Sequence, residues 1–133
     1  MIDWIQLSII SHKGEVFSEK VKYFKLFSVK GEVGIYPEHT SFVTLIDHTD
    51  LVIDYDKRIT KSYYIDEGVL SILHNRAVIL TDVFLRKEDV SKDKENEVLN
   101  QLNKDRLTLT DYDDLKTNYK SIIRSKAKLR MFN

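Results

Sequence analysis

The amino-acid sequence predicts an α+β fold, with an antiparallel β-sandwich in residues 1–87 and a two-helix segment in residues 88–133. Two observations carry this prediction. Up to about residue 85, apolar and polar side chains alternate in several short runs, and no helical pattern separates these runs. Beyond that point the alternation stops and helix-forming residues predominate. Strands that follow one another without helices form antiparallel sheets, which pack as a sandwich or a flattened barrel.

The first strand is predicted near the N terminus, where Ile5, Leu7 and Ile9 share one face of a period-two pattern. The same alternation recurs in three further runs, whose face-sharing members are Val21, Tyr23, Lys25, Phe27 and Val29; Leu51, Ile53 and Tyr55; and Ile59, Tyr63 and Ile65. Asp56-Lys57 and His74-Asn75-Arg76 each lie between two such runs, so both are predicted to be hairpin turns.

Two helices are predicted after the sheet. The first places Val98, Leu99 and Leu102 together at helical spacing. The second begins at Thr110, because Thr110 and Asp113 match a capping box. Its predicted apolar positions are Tyr112, Leu115, Tyr119, Ile122 and Ile123. Because a pair of helices this short rarely folds alone, we expect this helical hairpin to pack on the sandwich or on a partner, and to detach easily.

Charge is balanced over the whole chain but not along it. Lys plus Arg and Asp plus Glu each number 21, which argues against nucleic acid as a general partner. Residues 1–89 carry a net charge of −3, and residues 90–133 carry +3. Six cations and no acid lie in residues 115–133, and we call them the basic stripe: Lys116, Lys120, Arg124, Lys126, Lys128 and Arg130. The stripe is either a solvated helix face or a site for an acidic protein surface, and nucleic acid is the least supported partner.

No pattern of catalytic, metal-binding or cofactor-binding residues is present in the sequence. The chain has no cysteine, its four histidines are scattered singly, and the motifs for phosphate cradling, dinucleotide binding, zinc hydrolysis and EF-hand calcium binding are missing. The carboxylates of Asp47, Asp50, Asp54 and Asp56 alternate as on a solvated sheet face. The sequence also lacks a membrane-spanning apolar run and a signal peptide. We therefore expect a soluble protein without a metal or cofactor, and a catalytic pair among these carboxylates stays an alternative to the solvated face.

The segment at residues 31–46, GEVGIYPEHTSFVTLI, holds two of the four glycines and the only proline. By themselves these residues indicate a tight turn before a new strand. Their order resembles the G-E-x-G-I-x-P-G-H-x-P segment of the epsilon subunit of F-type ATP synthases, which is matched here by Gly31, Glu32, Gly34, Ile35, Pro37 and His39. The resemblance extends to GEVFSEKV at residues 14–21 and to EGVLSILHNRAVILTDV at residues 67–83.

The resemblance implies a β-sandwich of about ten strands with a helical hairpin, acting as a non-catalytic rotor subunit. The sandwich of such a subunit joins the gamma subunit to the c-ring, so that torque reaches the alpha/beta catalytic head. The chain would lie at the cytoplasmic face of the bacterial inner membrane and would meet the membrane only through the complex. The c-ring-facing residues implied by the resemblance are Gly31, Glu32, Gly34, Ile35, Pro37, Glu38 and His39. The extended hairpin would place the basic stripe against acidic segments of the catalytic subunits and brake ATP hydrolysis.

The sequence departs from this family at two places. Some members bind ATP through an [IL]-D-x-x-R-A motif at the start of the first C-terminal helix, and its Asp, Arg and Ala are missing here. The matching positions are Val90, Ser91, Lys92, Asp93, Lys94 and Glu95. We therefore predict weak or no ATP binding. Glu38 replaces the usual Gly, and Thr40-Ser41-Phe42 replaces A-P-L.

These departures keep a second interpretation open, in which the chain belongs to a divergent, specialised rotary ATPase that lacks an ordinary c-ring partner. A third class, a stand-alone sandwich with enzymatic or ligand-binding activity, has no residue pattern behind it.

Overall fold

The computed structural model describes residues 2–56 and 59–133. Within these residues the chain forms ten β-strands, a short 3-10 helix at Lys87–Asp89 and two α-helices. The elements are β1 (Ile5–Ser11), β2 (Gly14–Val21), β3 (Tyr23–Ser28), β4 (Gly31–Ile35), β5 (Phe42–Ile46), β6 (Thr49–Asp56), β7 (Ile59–Ile65), β8 (Gly68–Leu73), β9 (Arg76–Thr81), β10 (Phe84–Leu85), α1 (Lys92–Arg106) and α2 (Tyr112–Arg130). The predicted α+β fold is confirmed. Lys57, in the predicted turn at Asp56-Lys57, lies outside the described residues.

The ten described strands belong to one hydrogen-bonded sheet that folds into two layers. Their order is β10-β7-β6-β3-β5-β8-β9-β1-β2, and β4 pairs with β3 beside this path. The passage between the layers lies where Ser28 of β3 pairs with Ile46 of β5. The pairing is antiparallel as predicted, apart from β1 and β9, which run parallel with Ile9 opposite Ile79. These two strands lie far apart in the sequence, so no tight hairpin forces them to be antiparallel.

The core lies between the layers and is formed by alternate residues of the strands. In β1, Ile5, Leu7 and Ile9 are fully buried, as their period-two pattern predicts. The same is true of Leu51 and Ile53 in β6, which approach the core from the opposite layer. Alternation in these two strands therefore gave the correct buried face.

In β3 the predicted face is wrong. Val21 at the end of β2 is buried, but the next inward-facing side chains are Phe24 and Leu26, whereas Phe27 faces outward. The chain bends at Lys22 between β2 and β3. Because a bend interrupts the pleat, the alternation restarts with its phase shifted by one residue. Ile59, also predicted to face the core, is 52% exposed at the start of β7.

The predicted turn between β8 and β9 is confirmed. Its two central residues, His74 and Asn75, have φ values of +50° and +59°. Two consecutive left-handed residues define the type I′ turn, whose twist matches that of the flanking strands. The hairpin register is thereby fixed with Leu73 opposite Arg76.

Both predicted helices are present, but the start of the second differs from the prediction. Ser91 caps α1, and its hydroxyl accepts a hydrogen bond from the backbone N–H of Lys94. Asp111, and not Thr110, caps α2, because its carboxylate accepts from the backbone N–H of Asp113 at 2.9 Å. A carboxylate at the cap satisfies a free N–H and also complements the helix dipole, which a threonine hydroxyl does not.

The two helices pack against each other through polar as well as apolar contacts. Asn118 donates to the carbonyl of Leu102 at 3.0 Å, and Ser125 donates to Glu95 Oε1 at 2.7 Å. Among the predicted apolar positions of α2, Ile122 is buried. Two others of these positions, Tyr112 and Tyr119, are 73% and 64% exposed, so the predicted apolar positions do not form one buried face.

The C-terminal part of α2 rests on the outer face of β6 and β7. Its buried side chains there are Ala127 and Met131, which pack on the fully buried Tyr64 of β7. The partly buried side chains of Val83, Leu85, Val90 and Phe132 pack against the same cluster. Polar groups of α2 also contact the sandwich beside it.

Candidate functional site

The glycine-rich segment consists of a strand and a short connection. Gly31–Ile35 is β4, which pairs with β3. Gly31 lies opposite Ser28, at the passage between the layers, whereas the connection that follows Ile35 lies at the other end of the strand. Ile35 itself is fully buried. The residues implied as one c-ring-facing loop are thus divided between the two ends of β4.

The connection after β4 is held by hydrogen bonds to two other parts of the sandwich. Glu38 has a φ of +60°, and its backbone N–H donates to Asn75 Oδ1 at 2.7 Å. Asn75 donates in turn through Nδ2 to the carbonyl of Trp4 at 2.8 Å. The Gly that the resemblance leads us to expect at Glu38 would suit this left-handed backbone. We call Trp4, residues 36–41 and the 74–75 turn together the basal surface.

An exposed aromatic ring, Tyr36, forms part of the basal surface. Its ring centroid lies 4.5 Å from that of Tyr23. Gly34 lies beneath the Tyr23 ring, because a Cβ at that position would lie 2.6 Å from Tyr23 Oη. Burial raises the pKa of the Tyr23 phenol, and the neighbouring Tyr36 and Glu32 raise it further. Tyr36 was absent from the predicted site residues, although it lies within the matched segment.

The basic stripe is divided between solvent and the sandwich. Lys116, Lys120 and Lys126 are exposed on α2. The three cations that contact the sheet are Arg124, Lys128 and Arg130. Half of the stripe is therefore engaged within the chain in this conformation.

Arg124 approaches a carboxylate that already holds a buried polar cluster. Asp66 Oδ1 accepts a hydrogen bond from the Tyr64 hydroxyl at 2.5 Å and lies 3.1 Å from Nδ1 of the buried His48. Arg124 Nε lies 3.6 Å from the same oxygen. Burial raises the pKa of the Tyr64 phenol far above its ordinary value, and the hydrogen bond to Asp66 acts in the same direction. Lys128 Nζ lies 5.3 Å from the centre of the Tyr64 ring, so a second cation covers this cluster.

Arg130 makes the shortest ion pair between the hairpin and the sheet. Its Nε donates to Asp50 Oδ1 at 2.8 Å, and its guanidinium lies 5.1 Å from the Phe27 ring centre. The Asp50 side chain is 12% exposed. The prediction of a solvated face is therefore wrong for Asp50, because α2 covers it. Glu32 and Lys25 line the same groove, so the structure brings one predicted c-ring residue close to the end of the basic stripe.

The outer face of the other layer carries a row of four apolar side chains, which we call the apolar band. Ladder pairs place Leu45 opposite Val69, Val69 opposite Leu80, and Leu80 opposite Ile10. Leu45 and Leu80 are 58% and 48% exposed. Paired residues point to the same face, and neighbouring strands lie about 4.8 Å apart, so the band is about 14 Å long.

Sequence reasoning missed the apolar band. A signal was present, because VLSIL in β8 and AVIL in β9 have apolar residues at consecutive positions. A strand with one face in solvent needs apolar residues only on its other face, so consecutive apolar residues indicate that both faces are covered. The register that aligns four strands was not readable from the sequence.

The part of the chain that the structure describes contains no group of three or more His, Asp or Glu side chains arranged to hold a metal ion. None of its helices is both long and apolar enough to cross a membrane.

Comparison with known families agrees with the architecture. The family model for the ATP synthase delta/epsilon chain beta-sandwich domain matches residues 4–87. This range is more than half of the chain and includes all ten described strands. This chain belongs to the ATP synthase delta/epsilon chain family. The resemblance to the epsilon subunit that the glycine-rich segment indicates is confirmed.

Relatives named ATP synthase epsilon chain share this family. The one from Vesicomyosocius okutanii is 25% identical over 129 residues, which are 97% of this chain and 93% of that relative. The one from Ruthia magnifica is 23% identical over the same shares of both chains. The one from Hydrogenovibrio crunogenus is 33% identical over 89 residues, which are 66% of this chain and 60% of that relative. The first two matches cover the hairpin as well as the sandwich.

Two solved structures have the same fold. A chain of the Euglena gracilis mitochondrial ATP synthase, in a structure of OSCP, F1 and the c-ring, superposes with a TM-score of 0.87 at 15% identity, over 100% of this chain and 84% of that chain. A chain of the Tetrahymena thermophila mitochondrial ATP synthase central stalk and c-ring gives a TM-score of 0.62 at 14% identity, over 96% of this chain and 92% of that one. At these identities the likeness shows the fold alone.

In this family member, the positions of the ATP motif have structural contacts. Val90 packs on the apolar cluster beneath α2. Ser91 caps α1, and Glu95 accepts the hydrogen bond from Ser125 that joins the two helices. The weak or absent ATP binding predicted from the sequence stays a prediction, which calorimetry on the isolated protein would test.

Proposed function

We propose that this chain is a non-catalytic subunit of the central stalk of an F-type ATP synthase, where it joins a gamma subunit to the c-ring and lets torque reach the alpha/beta catalytic head. Membership of the delta/epsilon family supports this proposal. The observation that carries it is the apolar band, because an exposed apolar patch on a sandwich marks a protein interface. In this proposal residues 1–87 act as the rigid connector, and residues 88–133 act as a movable hairpin.

The apolar band is the proposed gamma-facing surface. Its members come from four neighbouring strands, so the surface is rigid before it meets a partner. A preformed surface loses little conformational entropy on binding. Such a surface suits a subunit that must transmit torque.

The basal surface is the proposed c-ring-facing surface. Glu32 lies nearer the other end of β4, in the groove with Asp50 and Arg130, so a c-ring contact there would be separate from the basal surface. Pro37, Glu38 and His39 lie on the basal surface, where Glu38 and His39 supply polar groups. These polar groups can exchange hydrogen bonds with polar loops of c subunits. Gly31 and Gly34 give β4 its backbone shape, and the buried Ile35 anchors the strand in the core.

The hairpin is the proposed brake on ATP hydrolysis. Lys116 and Lys120 are exposed and available to acidic segments of the catalytic subunits. Changing both to Gln should raise ATP hydrolysis by the assembled enzyme about fivefold, because two exposed ion pairs contribute about 1 kcal/mol together. The matched control changes the exposed Lys13 and Lys30 of the sandwich to Gln, and it should leave hydrolysis unaltered. Equal hydrolysis in the two variants would remove the stripe from the mechanism.

Affinity purification of the tagged protein from its own membranes tests the assignment as a whole. Recovery with alpha, beta, gamma and c subunits is the expected result, and it would place the chain at the cytoplasmic face of the bacterial inner membrane as a peripheral subunit. Recovery with catalytic-type subunits but without a c-ring would instead favour the alternative, a specialised rotary ATPase. That alternative stays open because Glu38 and Thr40-Ser41-Phe42 depart from the family pattern.

A further inference from the structure

One edge of β7 is covered over only part of its length. On one side β7 pairs with β6. On the other side β10 pairs with it at two positions, where Phe84 lies opposite Ile65 and Leu85 lies opposite Tyr64. Within the residues that the structure describes, no strand pairs with this outer edge at residues 60–63. An uncovered strand edge presents backbone N–H and C=O groups that another chain can pair with.

The chain leaves this edge directly after β10. The backbone N–H of Arg86 donates to Asp89 Oδ2 at 2.8 Å, and the backbone N–H of Asp89 donates to the carbonyl of Arg86 at 3.0 Å. These two hydrogen bonds hold the 3-10 helix, which turns the chain away from β7. A groove with a volume of about 500 Å³ lies between residues 60–63 and residues 86–88, and we call it the edge groove.

The edge groove carries an excess of positive charge. Lys61, Arg86 and Lys87 are exposed cations that line it, and Glu88 is the acid on the same lining. Among the described residues, no carboxylate oxygen lies within 4.0 Å of the charged nitrogens of these three cations. Their charges are therefore available to a partner that brings carboxylates.

Two of the cations lie on one side of the groove. Lys61 is paired with the buried Ile53 of β6, so the two side chains point to the same side of the sheet. Tyr63 shares that side, because it lies two residues further along β7. Phe84 stacks on Tyr63 at 4.8 Å, and the Arg86 guanidinium lies 5.6 Å from the Phe84 ring centre. A strand in the groove would therefore bring alternate side chains to Lys61 and Arg86.

The charge of the groove selects the kind of strand that fits. A lysine on an edge strand hinders pairing with a neutral or basic strand, because its charge would lose water or meet a like charge. An acidic strand meets no such barrier and gains ion pairs. On the opposite side of β7, the hydroxyls of Thr60 and Ser62 require no apolar partner.

We propose that the outer edge of β7 is a docking site for an extended acidic segment of a partner protein. The segment pairs with residues 60–63 as an added strand and places acidic side chains, at every second position, against Lys61 and Arg86. In this mode main-chain hydrogen bonds provide affinity and alternate side chains provide specificity. The edge groove is separate from the apolar band and the basal surface, so this inference adds a partner beyond the proposed function.

The experiment titrates the full chain with a short capped peptide of alternating Glu and Thr. One control peptide has the same side chains with every backbone amide N-methylated, which keeps the charges and removes the main-chain donors. A second control peptide alternates Lys and Thr. The acidic peptide should bind about tenfold or more tightly than either control, because main-chain hydrogen bonds and ion pairs are both required.

Amide hydrogen exchange, followed by NMR, locates the bound peptide. At a peptide concentration about ten times its Kd, the outward-pointing amides of residues 60–63 should exchange about tenfold more slowly. Equal binding of the N-methylated peptide would overturn the added strand, because attraction between charges would then suffice. Slower exchange at residues 60–63 with rising concentration of the chain alone would mean that a second copy occupies the edge, and it would overturn the acidic partner.

A charge variant tests the role of the two cations. Lys61→Gln with Arg86→Gln should weaken binding of the acidic peptide about fivefold, since two exposed ion pairs are lost. The matched control, Lys13→Gln with Lys30→Gln, removes the same charge at exposed positions and should leave the Kd unaltered. An equal loss of affinity in the two variants would overturn the site. Both variants should keep the urea midpoint of the unmodified chain, because all four side chains are exposed.

These measurements use the chain outside any complex, so they are independent of the proposed function. Purification without gamma or c subunits would reject the central-stalk assignment and would leave the result of the peptide titration in force. Absence of binding by the acidic peptide would overturn the docking site and would leave the central-stalk assignment in force.

Discussion

Replacing Leu45 and Leu80 by Ser tests the apolar band as the gamma-facing surface. These side chains are 58% and 48% exposed in the isolated chain. Full burial of a leucine contributes about 1.5–3 kcal/mol, so burying the exposed half of each on docking contributes about 1 kcal/mol. The double substitution should therefore weaken gamma binding by about 2 kcal/mol, which is about 30-fold in Kd.

The assay is calorimetric titration of the chain with the gamma subunit purified from the same complex. The matched control is Ile59→Ser, because Ile59 is 52% exposed but lies on β7, in the other layer. It loses a comparable apolar area outside the apolar band. Urea unfolding of all variants should show that each still folds cooperatively, since about half of each side chain is already in water.

Two results would refute the assignment of the apolar band. An unaltered Kd for the Leu45 and Leu80 variant would mean that gamma binds elsewhere. An equal loss for Ile59→Ser would mean that the effect reflects general surface apolarity and not this particular row of side chains.

Three further predictions concern the sandwich. Gly68→Ala should lower the free energy of unfolding, measured by urea denaturation, by about 3 kcal/mol. The added Cβ would lie 1.9 Å from the backbone oxygen of Leu80 and would push β8 away from β9. A loss below about 1 kcal/mol would contradict this prediction. Glu38→Gly should raise the free energy of unfolding by about 0.5–1 kcal/mol, because it relieves a left-handed backbone at φ +60°, and any loss of stability would count against it. Because its folded-state pKa is raised, Tyr64 gives stability that is present below its ordinary pKa of 10 and is lost as the pH rises further. Tyr64→Phe should therefore flatten the alkaline fall in urea stability, and an equally steep fall would contradict the burial argument.

The parts of the fold that sequence predicts well are those governed by local chemistry. Ile5, Leu7 and Ile9 alternate because one strand face is buried, and the His74-Asn75 turn follows from residues that tolerate a left-handed backbone. The phase error in β3 has a different origin. A bend at Lys22 restarts the pleat, and nothing in the residue types marks where the restart occurs.

The candidate surfaces depend on contacts between distant residues, which sequence alone does not give. Asp50 has the alternating pattern of a solvated carboxylate, yet α2 covers it through Arg130, 80 residues along the chain. The apolar band exists because three ladders, which join four strands, align Ile10, Leu45 and their neighbours. In both cases residue type was readable, whereas the identity of the opposing residue required the tertiary structure.

The inward-facing residues of α2 contact two different neighbours, so a single apolar stripe along the helix did not describe them. Asn118 meets α1, and the stretch from Arg124 to Met131 reaches the sheet. Tyr112 and Tyr119 belong to neither contact and remain largely exposed, seven residues apart on one side of the helix. Exposed aromatic side chains are unfavourable in the docked hairpin and would become favourable once covered by a partner. They therefore support the proposed extended state independently of charge, because burial of their rings would offset part of the loss of the two arginine pairs.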